Sequence, residues 1–427
     1  MAEKGRRVDL SKNDIFSMAD FLVEQEPMLF DPARPKEDEN SEKEIAQTLL
    51  RCQEAPVVAS FLALQEGDAR RAMMYFSFWI RYCKRFLGSK ISMEPCYHIV
   101  ALFLRLGHWQ VAEDFAREHI AAQPSNEDAM FFLGVALLGK GDAKGACAAW
   151  EKALERKHSF TEAKRNLAYL AAGGRDVRQL PCRIPHEDLM CASDCDGLDF
   201  PVFINSRDRV DCLRQLVEWL LAAGHRRIVI LDNDSDYPPL LAYYNELAKE
   251  DAVHVAYLHK NGGHTAIWDS GILEQMNVTT PYVYTDSDVV PTEECPPDAV
   301  RHFFGILRRY PFLDKVGFGL RLDDFHGAGT EPMKAHERKY YRYPLEKDVY
   351  FSQIDTTFAL YRNVRHYVIG LTARTTGAYM ARHLPWYKSY TVSSEDERYY
   401  RARASKSSTM ARMDQGEALR TPGGGFF

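Results

Sequence analysis

Apolar residues recur at three- and four-residue spacing from Glu44 to about Ala172, the period of helices that each bury one face. Before that stretch, residues 1–43 are polar and charged, with Pro32, Pro35 and the start of the run Lys36-Glu-Asp-Glu-Asn-Ser-Glu-Lys-Glu. This composition predicts a flexible lead-in holding one short helix around Asn13–Gln25. Gly173-Gly174 ends the helical pattern, and Arg175–Asp199, with Pro181, Pro185 and mixed charge, reads as a linker. Then the period changes. Pro201-Val-Phe-Ile-Asn reads as a strand, Val210–Ala223 as an amphipathic helix, and Arg227-Ile-Val-Ile-Leu as a buried strand ending at Asp232. A helix over Leu240–Glu250, a strand over Ala252–Leu258, a helix around Thr265–Met276 and a strand over Pro281–Thr285 follow. Strands alternating with helices predict a mostly parallel α/β sheet over 200–401, with a mobile Ser/Arg-rich tail over 402–427.

Within the helical stretch a 34-residue period pairs Gly107 with Gly141, Ala112 with Ala146, Leu104 with Leu138 and Leu133 with Leu167. The middle copy carries Leu133-Gly134, Leu137, Gly141, Ala146, Trp150 and Ala153, and Pro124 stands where a repeat would terminate. These spacings resemble the tetratricopeptide repeat, in which small residues let two antiparallel helices approach and large ones fill between them. The resemblance covers about two copies, so 44–174 is expected to be a helical repeat domain capped by irregular helices over Glu44–Ser92.

The 427 residues suffice for two or three domains, and 54 basic against 60 acidic residues leave a net charge of −6. That balance excludes a generally basic nucleic-acid binder. No apolar run reaches the length of a membrane span, and the polar start leads into no secretory h-region. Nine dispersed cysteines point to reduced thiols, hence a cytoplasmic protein, one that could sit peripheral to a membrane-bound assembly line. Cys182, Cys191, Cys195 and His186 cluster in the linker, but without a paired C-x2-C they match no common zinc pattern.

Ligands of parallel α/β sheets sit beyond the carboxyl ends of the strands. The first strand ends in Asn205-Ser-Arg207-Asp-Arg209, the second in Asp232-Asn-Asp234-Ser and the third in Lys260-Asn261-Gly-Gly263. The fourth ends in Asp286-Ser-Asp288. One acidic terminus would be an ordinary turn, but four polar termini along one edge define a cleft. Carboxylates on alternate residues can jointly hold a hard divalent cation, Mn2+ or Mg2+, which would neutralise charge on a substrate diphosphate.

In this order the motifs resemble the GT-A glycosyltransferases, especially the family-two-like nucleotide-diphospho-sugar transferases. Asn261-x-Gly263 and Asp269-x-Gly271 follow that family's N-x-G-x(5)-N-x-G pattern, with Ile267-Trp268-Asp269 departing from its usual Ala-Arg-Asn. The resemblance implies a Rossmann-like GT-A domain that moves a sugar from a nucleotide-diphosphate donor to a glycan or other acceptor. It implies donor contacts at Arg207, Arg209, Asp232, Asp234, Asn261, Gly263 and Asp286. It also implies a metal on Asp286 and Asp288, with His383 as the late basic residue such enzymes supply. Ser394-Glu395-Asp396 resembles the x-E-D triplet from which inverting members take their base, and it equally fits an ordinary helix start.

Downstream, Val316–Asp324 reads as a strand ending in two acids, and Tyr350–Arg362 as a strand with Asp355 inside an apolar run. An Asp so placed is costly unless it is paired or functional, which makes Asp355 a candidate catalytic base beside the Asp396 that the resemblance implies. Trp386, Tyr387 and Tyr390 could stack on a sugar ring or pack a helix. Two other readings stay open. Asp286-Ser-Asp288-Val-Val fits the opening of a haloacid-dehalogenase-like phosphatase, although that motif belongs after a first strand. The chain could also be a non-catalytic adaptor whose repeats bind a protein partner. Donor nucleotide, sugar, acceptor and stereochemical course are not encoded in these patterns.

Overall fold

Four left-handed glycines divide and end the helical pattern. Gly67, Gly107, Gly141 and Gly173 have φ of +82°, +78°, +88° and +88°, which L-residues with a Cβ rarely adopt. In the computed structural model, which describes residues 11–24, 55–86, 100, 103–104, 107–122, 124–181, 197–310, 313–324, 326, 331–362, 364, 367, 371–387 and 394–403, each lies in a turn at the end of a helical stretch. The chain divides into two compact units, one spanning 19–188 and the other 189–426 with the first eighteen residues.

The helices are α1 (Lys12–Glu24), α2 (Ala55–Gln65), α3 (Ala69–Phe86), α4 (Trp109–Ala122), α5 (Glu127–Gly139), α6 (Ala143–Arg156) and α7 (Thr161–Ala171). After Gly67 and Gly141, Asp68 and Asp142 cap the next helix by accepting from the amides of Arg71 at 2.9 Å and Gly145 at 2.8 Å. Helices α2 and α5 are buried almost all round, whereas α6 buries only Ala146, Ala149, Trp150 and Ala153. Contact between neighbours depends on missing side chains. A Cβ on Gly134 would lie 2.3 Å from the Trp150 indole nitrogen, and one on Gly139 2.3 Å from the Trp109 ring. Trp150 Nε1 also donates to the Phe131 carbonyl at 3.0 Å. This is a tetratricopeptide-like helical region. Its α2–α3 turn repeats the Gly–Asp device, so the stretch expected to be irregular capping helices contains a regular hairpin.

The α/β unit contains β1 (Val202–Ser206), α8 (Asp211–Ala222), β2 (Ile228–Asp232), α9 (Pro238–Leu247), β3 (Val253–Tyr257), α10 (Ala266–Asp269) and α11 (Ile272–Gln275). There follow β4 (Tyr282–Asp286), β5 (Val289–Pro291), α12 (Ala299–Arg309), β6 (Lys315–Leu320), α13 (Glu331–Arg338), β7 (Tyr343–Glu346), β8 (Val349–Phe351), β9 (Ala359–Tyr361), β10 (Thr372–His383) and α14 (Glu395–Arg403). One sheet runs β3-β2-β1-β4-β9-β6-β10-β8-β7, with β5 paired to β10.

The expectation of a mostly parallel sheet needs correction. The pairs β1–β2, β2–β3, β1–β4 and β6–β10 are parallel, but β4–β9, β6–β9, β5–β10, β8–β10 and β7–β8 are antiparallel. The cause is local. The run Tyr350–Arg362 is not one strand; β8 ends at Phe351, a loop carries Asp355, and β9 returns reversed between β4 and β6. Likewise the helix expected around Thr265–Met276 is broken where Gly271 turns left-handed at φ +68°.

One face of the sheet packs Phe203, Leu231, Ile267, Tyr282, Tyr284 and Tyr361 into a core, with the Tyr282 and Tyr361 rings stacked at 5.3 Å. Among the described residues no helix is long and apolar enough to cross a membrane. The linker cysteines Cys182, Cys191 and Cys195 with His186, most of the lead-in, Tyr390 and residues 404–427 lie outside the described residues.

Candidate active site

Strand β1 lies between β2 and β4, so the chain order reverses beside β1 and leaves a crevice at the carboxyl ends. Register places the polar termini at one edge: Asn205 opposite Asp286, Ser206 opposite Asp232, and Asp232 opposite Tyr257. Two asparagines knit this edge together. Asn205 Nδ2 donates to Asp286 Oδ1 at 3.1 Å, and Asn233 Nδ2 donates to Asn205 Oδ1 at 3.2 Å and to the Gly263 carbonyl at 3.0 Å. Asn233 Oδ1 accepts from the Gly262 amide at 2.7 Å. The glycine loop is therefore held against the strand ends by side chains, not by sheet pairing. Asn261 Oδ1 accepts from the Gly263 amide at 3.0 Å, and a Cβ on Gly263 (φ +65°) would meet nothing within 4 Å. Backbone is open to a ligand there.

Asp286 also accepts from Thr356 Oγ1, and its amide donates to the Thr356 carbonyl at 3.1 Å. Burial, then the nearby Asp288 and, more weakly, Asp355, push the Asp286 carboxyl up to about 7. Asp288 is buried, with Oδ2 accepting from Arg209 Nη1 at 2.7 Å and Oδ1 having no hydrogen-bond partner among the described residues. His383, at the end of β10, has Nε2 3.6 Å from Asp288 Oδ2 and a buried, unpartnered Nδ1. Burial holds that imidazole below its usual range, with Arg209 adding to the effect against the pull of Asp288.

These donors suit a hard divalent cation: two carboxylates, one with a bare buried oxygen, beside an imidazole. Among the described residues no three His, Cys, Asp or Glu side chains group closely enough to complete a ligand set. The remaining positions would fall to phosphate oxygens and water, the usual arrangement for Mg2+.

The structure puts several predicted residues to other uses. Arg209 is buried, and its Nε and Nη2 donate to Glu397 at 2.7 and 3.2 Å while Nη1 holds Asp288, so no edge is left for a donor phosphate. Arg207 differs, being partly exposed, with a buried Nε that makes no hydrogen bond and lies 3.7 Å from Asp208 Oδ2. Asp232 is only 4% exposed and turns inward, accepting from Tyr244 Oη at 3.0 Å, while Asp234 is exposed at φ +65°. Asp396 is 1% exposed and accepts from Ser394 and from the Val210 and Asp211 amides at 2.7 and 2.8 Å. It caps α8 from outside, where a carboxylate complements the helix dipole, and cannot reach a substrate. Ser394 Oγ accepts from the Glu397 amide at 3.2 Å, so the triplet is a helix start.

Asp355 is exposed on the β8–β9 loop, next to the Thr356 that holds Asp286, and accepts from Tyr367 Oη at 2.6 Å. Buried side chains clamp this loop by its carbonyls: Thr372 on Ser352, Arg374 on Gln353 at 2.7 Å, and Lys315 Nζ on Asp355 at 2.8 Å. A clamped backbone presents the carboxylate with little freedom. The rings of His264 and Tyr367 meet edge to face at 5.0 Å beside it. Trp386 lies against His383 at 4.8 Å, and Tyr387 Oη donates to Asp324 at 2.8 Å.

No protein-family model matches the chain, and no curated protein matches it by sequence. Similar solved structures include the crystal structure of MamA, 22% identical over 32% of this chain and 77% of MamA, with a TM-score of 0.24. A mutant of the Thermobaculum terrenum O-GlcNAc transferase is 16% identical over 48% of this chain, with a TM-score of 0.22. This chain spans 45% of that transferase. At such scores neither likeness decides the fold or the chemistry of the α/β unit.

Proposed function

We propose that the α/β unit is a GT-A-type glycosyltransferase that uses Mn2+ or Mg2+ to move a sugar from a nucleotide-diphosphate donor to a glycan or other acceptor. The observation that carries this reading is the Asp286/Asp288 pair at the switch point, with a buried carboxylate oxygen left bare. Asp286 and Asp288 would hold the cation, with the His383 imidazole beside them and phosphate oxygens and water completing its shell, and when bound it would neutralise charge developing on the leaving diphosphate. The open backbone at Asn261–Gly263 and the partly exposed Arg207 would approach the nucleotide and its phosphates. The acceptor hydroxyl oxygen replaces the diphosphate oxygen on the anomeric carbon, and the bonding pair departs with the nucleotide diphosphate. Asp355, exposed on its clamped loop, takes the hydroxyl proton. The helical region would dock an acceptor or a partner protein.

The phosphatase alternative has less support. Both Asp286 oxygens already accept hydrogen bonds, and the later acids Asp323 and Asp324 are taken by Arg321 at 3.0 Å and Arg382 at 2.7 Å. Thermal-shift screening of nucleotides and sugar nucleotides with and without Mn2+ tests the reading. A ligand at one hundred times its Kd stabilises by about 2.7 kcal/mol, and the shift should need the metal. No shift with any sugar nucleotide would favour a non-catalytic adaptor.

A further inference from the structure

The two oxygens of Asp288 are treated differently. Oδ2 accepts from Arg209 at 2.7 Å, and Oδ1 is buried without a hydrogen-bond partner among the described residues. Arg209 is itself fixed. Its fork closes on both oxygens of Glu397 at 2.7 and 3.2 Å, and its Cζ lies 3.7 Å from the centre of the Tyr400 ring. Both partners come from α14, far along the chain from β1. Glu397 Oε1 is shared further with Arg401 Nε at 2.7 Å.

We propose that Glu397, acting through Arg209, is a positioning residue that sets the rotation of Asp288 and leaves Oδ1 as the single donor it offers a divalent cation. The inference rests on the metal-dependent reading above. Arg209 alone would neutralise Asp288 and repel an incoming cation. Glu397, itself shared with Arg401, draws the Arg209 charge away from Asp288, so Asp288 keeps more of its attraction for a cation than a pair with Arg209 alone would leave it. A guanidinium forked onto Glu397 cannot swing onto Oδ1. A carboxylate held by one oxygen is thereby prevented from pairing with arginine through both.

A purely structural role, stapling α14 to the sheet, would not make Mn2+ binding depend on the identity of residue 397. Titration of the full chain with Mn2+ alone, following free Mn2+ by electron paramagnetic resonance, separates the two. Glu397→Gln should bind Mn2+ at least about tenfold more weakly, the usual cost of losing a residue that orients a metal ligand. Asp396→Asn, which weakens the hold of α14 on the Val210 and Asp211 amides but leaves every side chain of the fork in place, should bind within about twofold of wild type, well inside that margin. Wild-type affinity in Glu397→Gln, or an equal loss in Asp396→Asn, overturns the proposal. Should Glu397→Gln fail to show a cooperative melt, Arg209→Lys decides by the same readout. It keeps the charge and loses the fork, and unchanged affinity there overturns the proposal as well. If the wild type binds no Mn2+ that Asp288→Asn abolishes, the metal reading itself fails, and this inference with it.

Discussion

Replacing Asp286 by Asn should make the metal-free protein more stable, increasingly so as pH rises. The carboxyl is pushed up to about 7 from an ordinary 3.8, because burial and Asp288 disfavour its charged form. The folded state therefore binds a proton that the unfolded chain releases near pH 4. Its contribution to stability is fully present below the unfolded value and is lost as pH rises toward 7. A displacement of about three units corresponds to about 4 kcal/mol between acid and alkaline conditions. Asparagine escapes this cost and keeps both contacts, its oxygen accepting from Asn205 and its amide donating to Thr356. Urea denaturation in EDTA, followed by tryptophan fluorescence from pH 5 to 9, should show the variant gaining on wild type up to about pH 7 and the difference levelling off above it. Saturating Mn2+ should reverse the order, since only the wild type binds it. A variant less stable than wild type by the same margin at every pH would refute the reasoning.

Other substitutions separate structure from chemistry. Gly134→Ala drives a methyl into the Trp150 indole, 2.3 Å from its nitrogen, and should cost about 1–3 kcal/mol by calorimetry. Lys315→Met leaves the Asp355 carbonyl and Tyr361 hydroxyl short of a buried donor. It should cost about 1–3 kcal/mol and lower kcat more than it raises KM. Asp355→Asn should reduce sugar transfer by about 100-fold or more in a steady-state assay. Asp396→Asn should cost about 1 kcal/mol of stability while preserving sugar transfer, because Asp396 caps α8.

Features written in short-range periods were legible in the chain. The strands ending in Asp232 and Asp286, the repeat glycines Gly107 and Gly141 and the Trp150 packing all follow from spacing within a few dozen residues. Features set by distant partners were not. Arg209 meets Glu397 across 188 positions, so nothing near Arg209 shows that it is consumed internally. Asp232 turning to Tyr244 was hidden because an acid at a strand end looks the same whichever way it points. The reversed β9 was missed because Asp355 interrupts an apolar run that reads continuously in period. Asn205 and Asn233 were quoted only as flanking residues of the acidic termini, yet they tie the glycine loop to Asp286. An asparagine closing each strand, rather than an acid alone, was the available signal.

The central claim is that Asp286 and Asp288 serve a metal-dependent sugar transfer. Release of nucleotide diphosphate from a panel of sugar nucleotides, with Mn2+ and with EDTA, measures it directly in wild type and in the Asp286→Ala, Asp288→Ala double variant. The account predicts release by wild type with Mn2+ for at least one donor, and loss of that release both in EDTA and in a double variant that still folds. Full release by the double variant, or release indifferent to EDTA, would contradict it.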